Sequence, residues 1–157
     1  MKSLAWVLGL LALAGNAQGD DEKSGTNQSS KAKPASESGA ILLVPSELKW
    51  TADPKRPGTA MALAEGDPSK GPAHFYLKYE KGFVGGPHHH TNDHGGWILQ
   101  GTVILELDGT DTKLPPGSFY FVRGNKIHVA KCDAGAECVM TVDVRGKWDA
   151  IPDPRTK

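Results

Sequence analysis

The chain has 157 residues, of which 38% are hydrophobic, so it has room for one globular domain with tails but not for two domains. Its 18 Lys and Arg balance 18 Asp and Glu, which argues against a protein held on nucleic-acid phosphates or an anionic membrane. The 19 Gly and 11 Pro, with only 7% aromatic residues, favour a turn-rich all-β fold over a helical bundle.

The N-terminal residues 1–19 have the features of a secretory signal peptide. Lys2 supplies a basic start, LAWVLGLLALA at 4–14 is an apolar run, and AQG at 17–19 offers small residues at the cleavage positions. The apolar run is far shorter than the roughly 20 residues that a membrane-spanning helix needs. We therefore expect cleavage after residue 19 and a periplasmic or secreted protein without a membrane anchor.

Residues 20–40 are predicted to form a disordered leader. This stretch contains no aromatic or branched aliphatic residue and mixes both charges with Ser, Gly and Pro. It cannot bury enough apolar area to compensate for the entropy of ordering. The folded domain is therefore expected at residues 41–157.

The remaining chain alternates short apolar runs with Gly, Pro and Asp, which predicts about eight to ten strands. No segment has a convincing 3.6-residue apolar repeat, and no internal repeat of solenoid length is present. A single all-β sandwich or small barrel is the predicted fold. The runs are ILLV, ELKW, TAMALA, HFYLKYE, WILQGTVILEL, GSFYFV, KIHVAK and ECVMTVDV.

Five of the six histidines fall into two groups, PHHHTNDH at 87–94 and NKIHV at 125–129. Side chains alternate along a strand, so His88 and His90 share one face while His89 points the other way. His128 from a neighbouring strand and His94 can complete a shell, since neutral imidazole is a common ligand of Zn, Cu, Ni and Fe(II). The alternative is a polar surface loop in which histidines cluster by chance.

Two cysteines, Cys132 and Cys138, flank the polar sequence DAGAE. In an oxidising compartment we expect them to form a disulfide that closes a hairpin. The alternative is that Cys132 stays a thiol facing the histidines, and the spacing leaves both open.

The first histidine group resembles the first motif of the cupin superfamily. That motif runs Gly-x5-His-x-His, then three or four intervening residues, a Glu, six further residues and a Gly. Its positions fall here on Gly82, His88, His90, His94 and Gly101, with His in place of Glu.

The second cupin motif, Gly-x5-Pro-x-Gly-x2-His-x3-Asn, is retained only at its first Gly and its His, and its positions fall on Gly117, Arg123, Asn125, His128 and Cys132. The resemblance extends from Trp50 to Trp148. The phrases GDPSKGP, PPGSFY and RGKWD are similar to those of small bacterial cupins of unassigned function related to the ChrR-type cupin domain. This resemblance implies an RmlC-like jelly roll, which is a double-stranded antiparallel β-barrel.

The resemblance implies one divalent metal per chain, held by His88, His90 and His128. His94 occupies the position of the motif Glu, so it is either a fourth ligand or a base beside an open coordination position. Asp93 lies one position off the motif and would bind only if the turn shifts, so it is not the expected ligand. A shell without a carboxylate disfavours Mn and Mg, so Zn or Fe is expected first, with Ni and Cu as alternatives.

The strand before the first motif carries two further candidates for the site. Alternation along HFYLKY means that Tyr76 and Tyr79 point to opposite faces. Either tyrosine is a candidate hydrogen-bond donor to a substrate, and ordinary core packing is the alternative for both.

Two functional classes remain open on this sequence. The resemblance implies a metal-dependent enzyme acting on a small oxygen-bearing molecule, either as a Lewis acid or as a dioxygenase on a diketone-like or enol-like compound. The alternative is a metal-binding or small-ligand-sensing protein whose fourth histidine closes the shell. Cupins also pair through an edge strand, so a homodimer formed through ILLV at 41–44 is a further expectation.

Overall fold

The structure is a computed structural model that describes residues 39–154, so the predicted signal peptide and residues 20–38 of the predicted leader lie outside the described residues. The regular secondary structure of the described residues is almost entirely β-strand, and the predicted all-β class is confirmed. Among residues 39–154, no helix is long and apolar enough to cross a bilayer. A 3-10 helix, Pro45–Glu47, precedes strands β1 Thr51–Ala52, β2 Thr59–Gly66, β3 Ala73–Tyr79, β4 His88–His89, β5 His94–Gln100, β6 Val103–Leu107, β7 Thr110–Leu114, β8 Phe119–Val122, β9 Val129–Cys132, β10 Cys138–Val144 and β11 Ile151–Pro152.

The strands form three antiparallel sheets in a jelly-roll arrangement. The largest sheet has the order β1-β2-β3-β10-β5-β8, and a second sheet has the order β7-β6-β9. Strands β11 and β4 make a separate pair. Neighbours in the large sheet that are distant in sequence, such as β3 and β10, bring the two ends of the domain together.

The hydrophobic core is built by strict alternation along β3 and β10. Phe75 and Leu77 on β3 are buried, as are Met140, Val142 and Val144 on β10. Because successive side chains on a strand point to opposite faces, each strand presents one apolar row to the interior. This row continues across the large sheet to Ile98 of β5, and the same core cluster includes Val103 of the smaller sheet.

Cys132 and Cys138 form the predicted disulfide, with their Cα atoms 5.8 Å apart. The free thiol is therefore excluded. The expected hairpin is wrong, because β9 pairs with β6 whereas β10 pairs with β3 and β5. The bridge thus joins the two main sheets, and both cysteines belong to the buried core.

The predicted strands ILLV and ELKW are absent. Residues 41–44 are exposed and adopt no strand, and Pro45 begins the 3-10 helix. Proline fixes its own φ and lacks an N–H, which suits the first position of a helix and not a paired strand. The predicted homodimer therefore loses its candidate edge strand, and the prediction of dimerisation stays open.

Candidate metal centre

His88 and His128 lie directly opposite each other in an isolated antiparallel bridge. The His88 N–H donates to the His128 carbonyl at 3.1 Å, and the His128 N–H donates to the His88 carbonyl at 2.9 Å. Directly opposed residues of an antiparallel pair place their side chains on the same face. The two imidazole rings accordingly lie with their centroids 4.5 Å apart.

His90 joins this pair from the loop that follows β4. It shares the face of His88, as the alternation predicts, and its ring centroid lies 4.9 Å from that of His88 and 5.2 Å from that of His128. His90 is buried, and its Nδ1 is hydrogen-bonded to the backbone carbonyl of Asp149 near the C-terminus.

Backbone carbonyls orient all three imidazoles in the same way. Nδ1 of His88 is paired with the Gly86 carbonyl at 2.8 Å, and Nδ1 of His128 with the Lys126 carbonyl at 2.9 Å. A carbonyl can only accept, so each Nδ1 carries the proton and each Nε2 keeps its lone pair. Such outer hydrogen bonds fix the tautomer that a metal requires.

The ligand atoms of His88, His90 and His128 lie within 4.8 Å of one another. Nitrogens that share one ion at about 2.1 Å are about 3 to 4 Å apart, so even the farthest pair here needs to approach by no more than roughly 1–2 Å. The three side chains therefore fit a divalent transition metal in number, donor type and protonation state.

His94, the first residue of β5, completes the ring of four imidazoles. Its centroid is 4.5 Å from that of His90 and 5.4 Å from that of His128. Its Nδ1 is buried without a hydrogen-bond partner among residues 39–154. His94 thus differs from the other three, because its Nδ1 makes no hydrogen bond of normal geometry, although the Asn92 backbone lies near enough to act on the ring.

Burial keeps these imidazoles neutral. Removal from water, with a smaller contribution from the neighbouring histidines, lowers the pKa of His128 and of His94 to about 4 and that of His90 to about 2. Burial lowers the pKa of His88 as well. Neutral imidazole is the form that binds metal, so the group is ready for an ion at neutral pH.

Beside the four histidines is a cavity of about 30 Å³. A cavity of this size has room for about two water molecules. Of the two predicted tyrosines, Tyr79 lines this cavity, and burial raises the pKa of its phenol. Tyr76 lies on the opposite face of β3, in a depression that Trp97 and Phe119 also line. The alternation along β3 places Phe75, Leu77 and Tyr79 inward, so Tyr76 is not part of the histidine site.

Tyr120 also lines the inner cavity, although no sequence pattern indicated it as a site residue. Its ring centroid lies 6.1 Å from that of His94, and its hydroxyl donates to the Thr141 carbonyl at 3.0 Å. Gly96 makes this bond possible, since a Cβ there would lie less than 3.0 Å from that carbonyl oxygen. The hydroxyl of Tyr120 is therefore committed to the backbone.

Trp148 covers the site from the C-terminal side. Its ring stacks on His90 at a centroid distance of 3.9 Å and meets Phe75 edge-on at 5.2 Å. The following residue, Asp149, accepts hydrogen bonds from the Thr91 N–H at 2.8 Å and the Thr91 hydroxyl at 2.6 Å. Pairing of β11 with β4 then holds this C-terminal segment across the strand that carries His88.

Asp93 is turned away from the cavity. Its carboxylate accepts from the Gly124 N–H at 2.8 Å and from Arg123 at 3.2 Å. Asp93 and Arg123 thus hold the loop after β8 in place.

An outer space of about 560 Å³ adjoins the histidine cavity. Arg56, Tyr79, His88, Ala130 and Trp148 line both. Sequence patterns indicated neither Arg56 nor the role of Trp148, since each reaches the site through a loop. The closing phrase RGKWD marked Trp148 as part of the family resemblance but not as a neighbour of His90.

The family model described as "Cupin domain" matches residues 75–144 of the chain, which include all four histidines. The predicted cupin resemblance is thereby confirmed, while the relation to ChrR-type cupins stays a prediction. The search of curated proteins found no match.

Several solved structures share the fold at low sequence identity. KdgF from Halomonas sp. is 23% identical with a TM-score of 0.56, over 68% of this chain and 94% of that one. The polyketide cyclase RemF from Streptomyces resistomycificus is 17% identical with a TM-score of 0.62, over 72% and 84%. A predicted oxalate decarboxylase from Thermotoga maritima is 17% identical with a TM-score of 0.58, over 68% and 99%. At these identities the similarity establishes the fold and not the reaction.

Proposed function

Residues 75–144 of this chain form a cupin domain, and on that premise we propose that the protein is a metal-dependent enzyme acting on a small oxygen-bearing molecule. The observation that carries this proposal is the convergence of His88, His90 and His128, each with Nδ1 on a backbone carbonyl. Histidines that cluster by chance in a surface loop have no reason to share this orientation.

The metal is held by His88, His90 and His128, with His94 as the fourth ligand or as a base beside them. The all-nitrogen donor set fits Zn or Fe best, followed by Ni and Cu. When bound, such an ion supplies Lewis acidity toward a substrate oxygen, and iron additionally supplies oxygen chemistry of the dioxygenase type.

The chain's own groups suit the binding of a small polar molecule. Tyr79 lines both the inner cavity and the outer space. Because burial raises the pKa of its phenol, Tyr79 stays protonated and can donate a hydrogen bond to a substrate oxygen. Trp148 stacks on His90 and keeps bulk water from that side of the histidines.

Export through residues 1–19 belongs to the same proposal. The Cys132–Cys138 disulfide supports it, because such bridges persist in oxidising compartments such as the periplasm and the extracellular space. The functional protein would then be the chain from residue 20 onward, acting on molecules outside the cytoplasm.

The second candidate is a metal-binding or sensing protein without catalysis. The observation that favours it is the small inner cavity of about 30 Å³, which leaves little room for a substrate once His94 closes the shell. In that case His94 would contribute to affinity, whereas in the enzyme it would be dispensable for holding the ion.

The test is elemental analysis of the mature protein, secreted through its own signal and purified without a histidine tag. We expect near one metal per chain in the wild type and loss of metal in the His88→Ala/His128→Ala double variant. His74→Ala is the matched control, because His74 is an exposed histidine outside the cluster. Absence of metal in the wild type, even after titration, would overturn the proposal.

A second measurement separates the two candidates. Fe(II)-loaded protein is mixed with acetylacetone, a diketone probe, in an oxygen electrode, and Co(II)-loaded protein is titrated with azide. Oxygen uptake or a spectral change on azide addition supports an enzyme with an open coordination position. The binding protein would be established instead if the bound ion responds to neither probe and is lost in His94→Ala.

A further inference from the structure

The outer space beside the histidines is lined by two basic side chains, Lys55 and Arg56, and by two acidic ones, Asp53 and Asp149. Both carboxylates already have partners in the fold. Asp53 accepts from the Lys55 N–H and from Arg56 Nε, each at 2.9 Å. Asp149 accepts two hydrogen bonds from Thr91.

Arg56 is held in a fixed position by the loop between β1 and β2. Its N–H donates to the Asp53 carbonyl at 3.1 Å, and its own carbonyl accepts from the Thr59 N–H and the Thr59 hydroxyl. Its side chain is held through Nε, and 38% of it is exposed. Among residues 39–154, no acceptor is found for its two terminal Nη atoms.

This arrangement leaves the end of the guanidinium group free for a ligand. A guanidinium presents parallel N–H donors that match the two oxygens of a carboxylate. Arg56 lines both the outer space and the histidine cavity, whereas Lys55 lines the outer space alone. The cation nearest the histidines is therefore Arg56, which Asp53 pairs through Nε and not through the terminal nitrogens.

We infer that Arg56 binds a carboxylate of the ligand while a second oxygen of the same molecule points to His88, His90 and His128. The natural ligand is then a small carboxylic acid with another oxygen donor, such as a hydroxy acid, a keto acid or a dicarboxylate. The inner cavity admits only one end of such a molecule, and the outer space of about 560 Å³ receives the rest. This inference rests on the proposed metal site and names its substrate class.

The experiment is a titration of the Co(II)-loaded mature protein, followed by the visible cobalt spectrum. Malonate and succinate are the two-carboxylate probes, and propionate is the one-carboxylate reference. We expect the better dicarboxylate to half-saturate the protein at about tenfold lower concentration than propionate, the effect of one charge-assisted bidentate contact. Arg56→Met should abolish this advantage without changing the cobalt content.

Three controls sharpen the result. Lys55→Met removes the neighbouring charge that lines only the outer space, and it should keep the advantage. Arg56→Lys keeps the charge without the planar fork and should retain only part of it. Phosphonoacetate replaces malonate to distinguish a carboxylate from a phosphate-like group, and a larger advantage for it would overturn the carboxylate assignment.

Two results would overturn the role of Arg56 and leave the metal site intact. One is that Arg56→Met binds dicarboxylates as tightly as the wild type does. The other is that Lys55→Met loses the dicarboxylate advantage to the same extent as Arg56→Met. If the wild type takes up no cobalt, the proposed function fails instead. The role of Arg56 is then read from the ¹⁵N NMR signal of its Nε–H in the metal-free protein. Succinate should shift that signal, and no shift would overturn the inference.

Discussion

His88 and His128, 40 positions apart in the chain, exchange two backbone hydrogen bonds, 3.1 and 2.9 Å long, across a single antiparallel bridge. The bridge links the start of β4 to the residue before β9. It fixes the backbone positions of the two histidines, while the Gly86 and Lys126 carbonyls orient the two rings. The backbone that carries these two histidines is therefore in place without an ion, and removal of one imidazole leaves that backbone arrangement unchanged.

His128→Ala should reduce metal affinity by about 100-fold or more, because it removes one of three oriented ligand nitrogens. The loss of a ligand should cost more affinity than the loss of a hydrogen bond to a ligand, which typically costs about 10- to 100-fold. The backbone bridge to His88 does not depend on the side chain, so the fold should persist. The measurement is competition with a chromophoric chelator, with circular dichroism to check folding.

His89→Ala is the control for that experiment. His89 belongs to β4 together with His88 but lies outside the three-histidine cluster. The metal affinity of His89→Ala should equal that of the wild type. An equal loss of affinity in both variants would show that the loop as a whole, and not the imidazole of His128, determines binding.

Gly96→Ala should destabilise the fold by about 2–4 kcal/mol, because a Cβ at this position would overlap the Thr141 carbonyl and force β5 and β10 apart. The same change should break the hydrogen bond from the Tyr120 hydroxyl to that carbonyl. The measurement is the urea unfolding midpoint.

Gly86→Ala is the matched control, since nothing lies within 4 Å of a Cβ there and its φ is not positive. It should change the free energy of unfolding by less than about 1 kcal/mol. Equal midpoints for the two variants would show that β5 and β10 tolerate a side chain at Gly96.

Reduction of the disulfide should lower stability by about 2 kcal/mol, the loop entropy expected for a short bridged segment. Cys132 and Cys138 are the only cysteines in the chain, so any effect of a reductant on unfolding belongs to this bridge. Urea unfolding with and without a phosphine reductant measures it. An unchanged midpoint in fully reduced protein would contradict the view that the bridge stabilises the junction of the two sheets.

The metal-free protein should lose stability as the pH falls from 6.5 toward 4. His94 and His128 have a pKa of about 4 in the fold, against about 6.5 when unfolded, so the unfolded chain binds more protons in this window. Their contribution is present above pH 6.5 and is lost as the pH falls, at roughly 3 kcal/mol for each group.

Urea unfolding at several pH values between 7 and 4.5 tests this dependence, in a range where most carboxylates remain charged. His128→Asn should show a shallower slope than the wild type. A free energy of unfolding that stays constant across the window would mean that water reaches the histidines in the absence of metal.

Most of the fold and half of the site follow from local sequence patterns. Alternation correctly placed β3 and β10, and it also put His88 and His90 on one face. It could not choose between Tyr76 and Tyr79, because both possible faces of HFYLKY carry aromatic residues and only burial of Phe75 and Leu77 decides.

The remaining parts of the site depend on the paths of loops. Arg56 reaches the cavity from the connection between β1 and β2, and Asp149 meets His90 across 59 positions of sequence. These contacts are fixed by Gly-rich and Pro-rich connections whose course has no periodic signal. The failure of ILLV to form a strand has a similar origin, since Pro45 turned the chain into a 3-10 helix.

Trp148→Ala should lower the free energy of unfolding by about 3 kcal/mol, because it removes a large ring packed on Phe75 and His90. It should also weaken metal binding, because the His90 ring loses the stacking partner that fixes its orientation. Trp148→Phe keeps part of that surface and should retain most of the metal affinity. Urea unfolding and chelator competition on the same samples separate the two effects.

Trp97→Ala provides the comparison, because Trp97 is 53% exposed on the outer face of the large sheet. We expect it to change stability by less than about 1 kcal/mol and to leave metal affinity unaltered. If Trp148→Ala were as destabilised as expected yet bound metal with unchanged affinity, Trp148 would be a packing residue only. His90 would then be positioned entirely by the hydrogen bond between its Nδ1 and the Asp149 carbonyl.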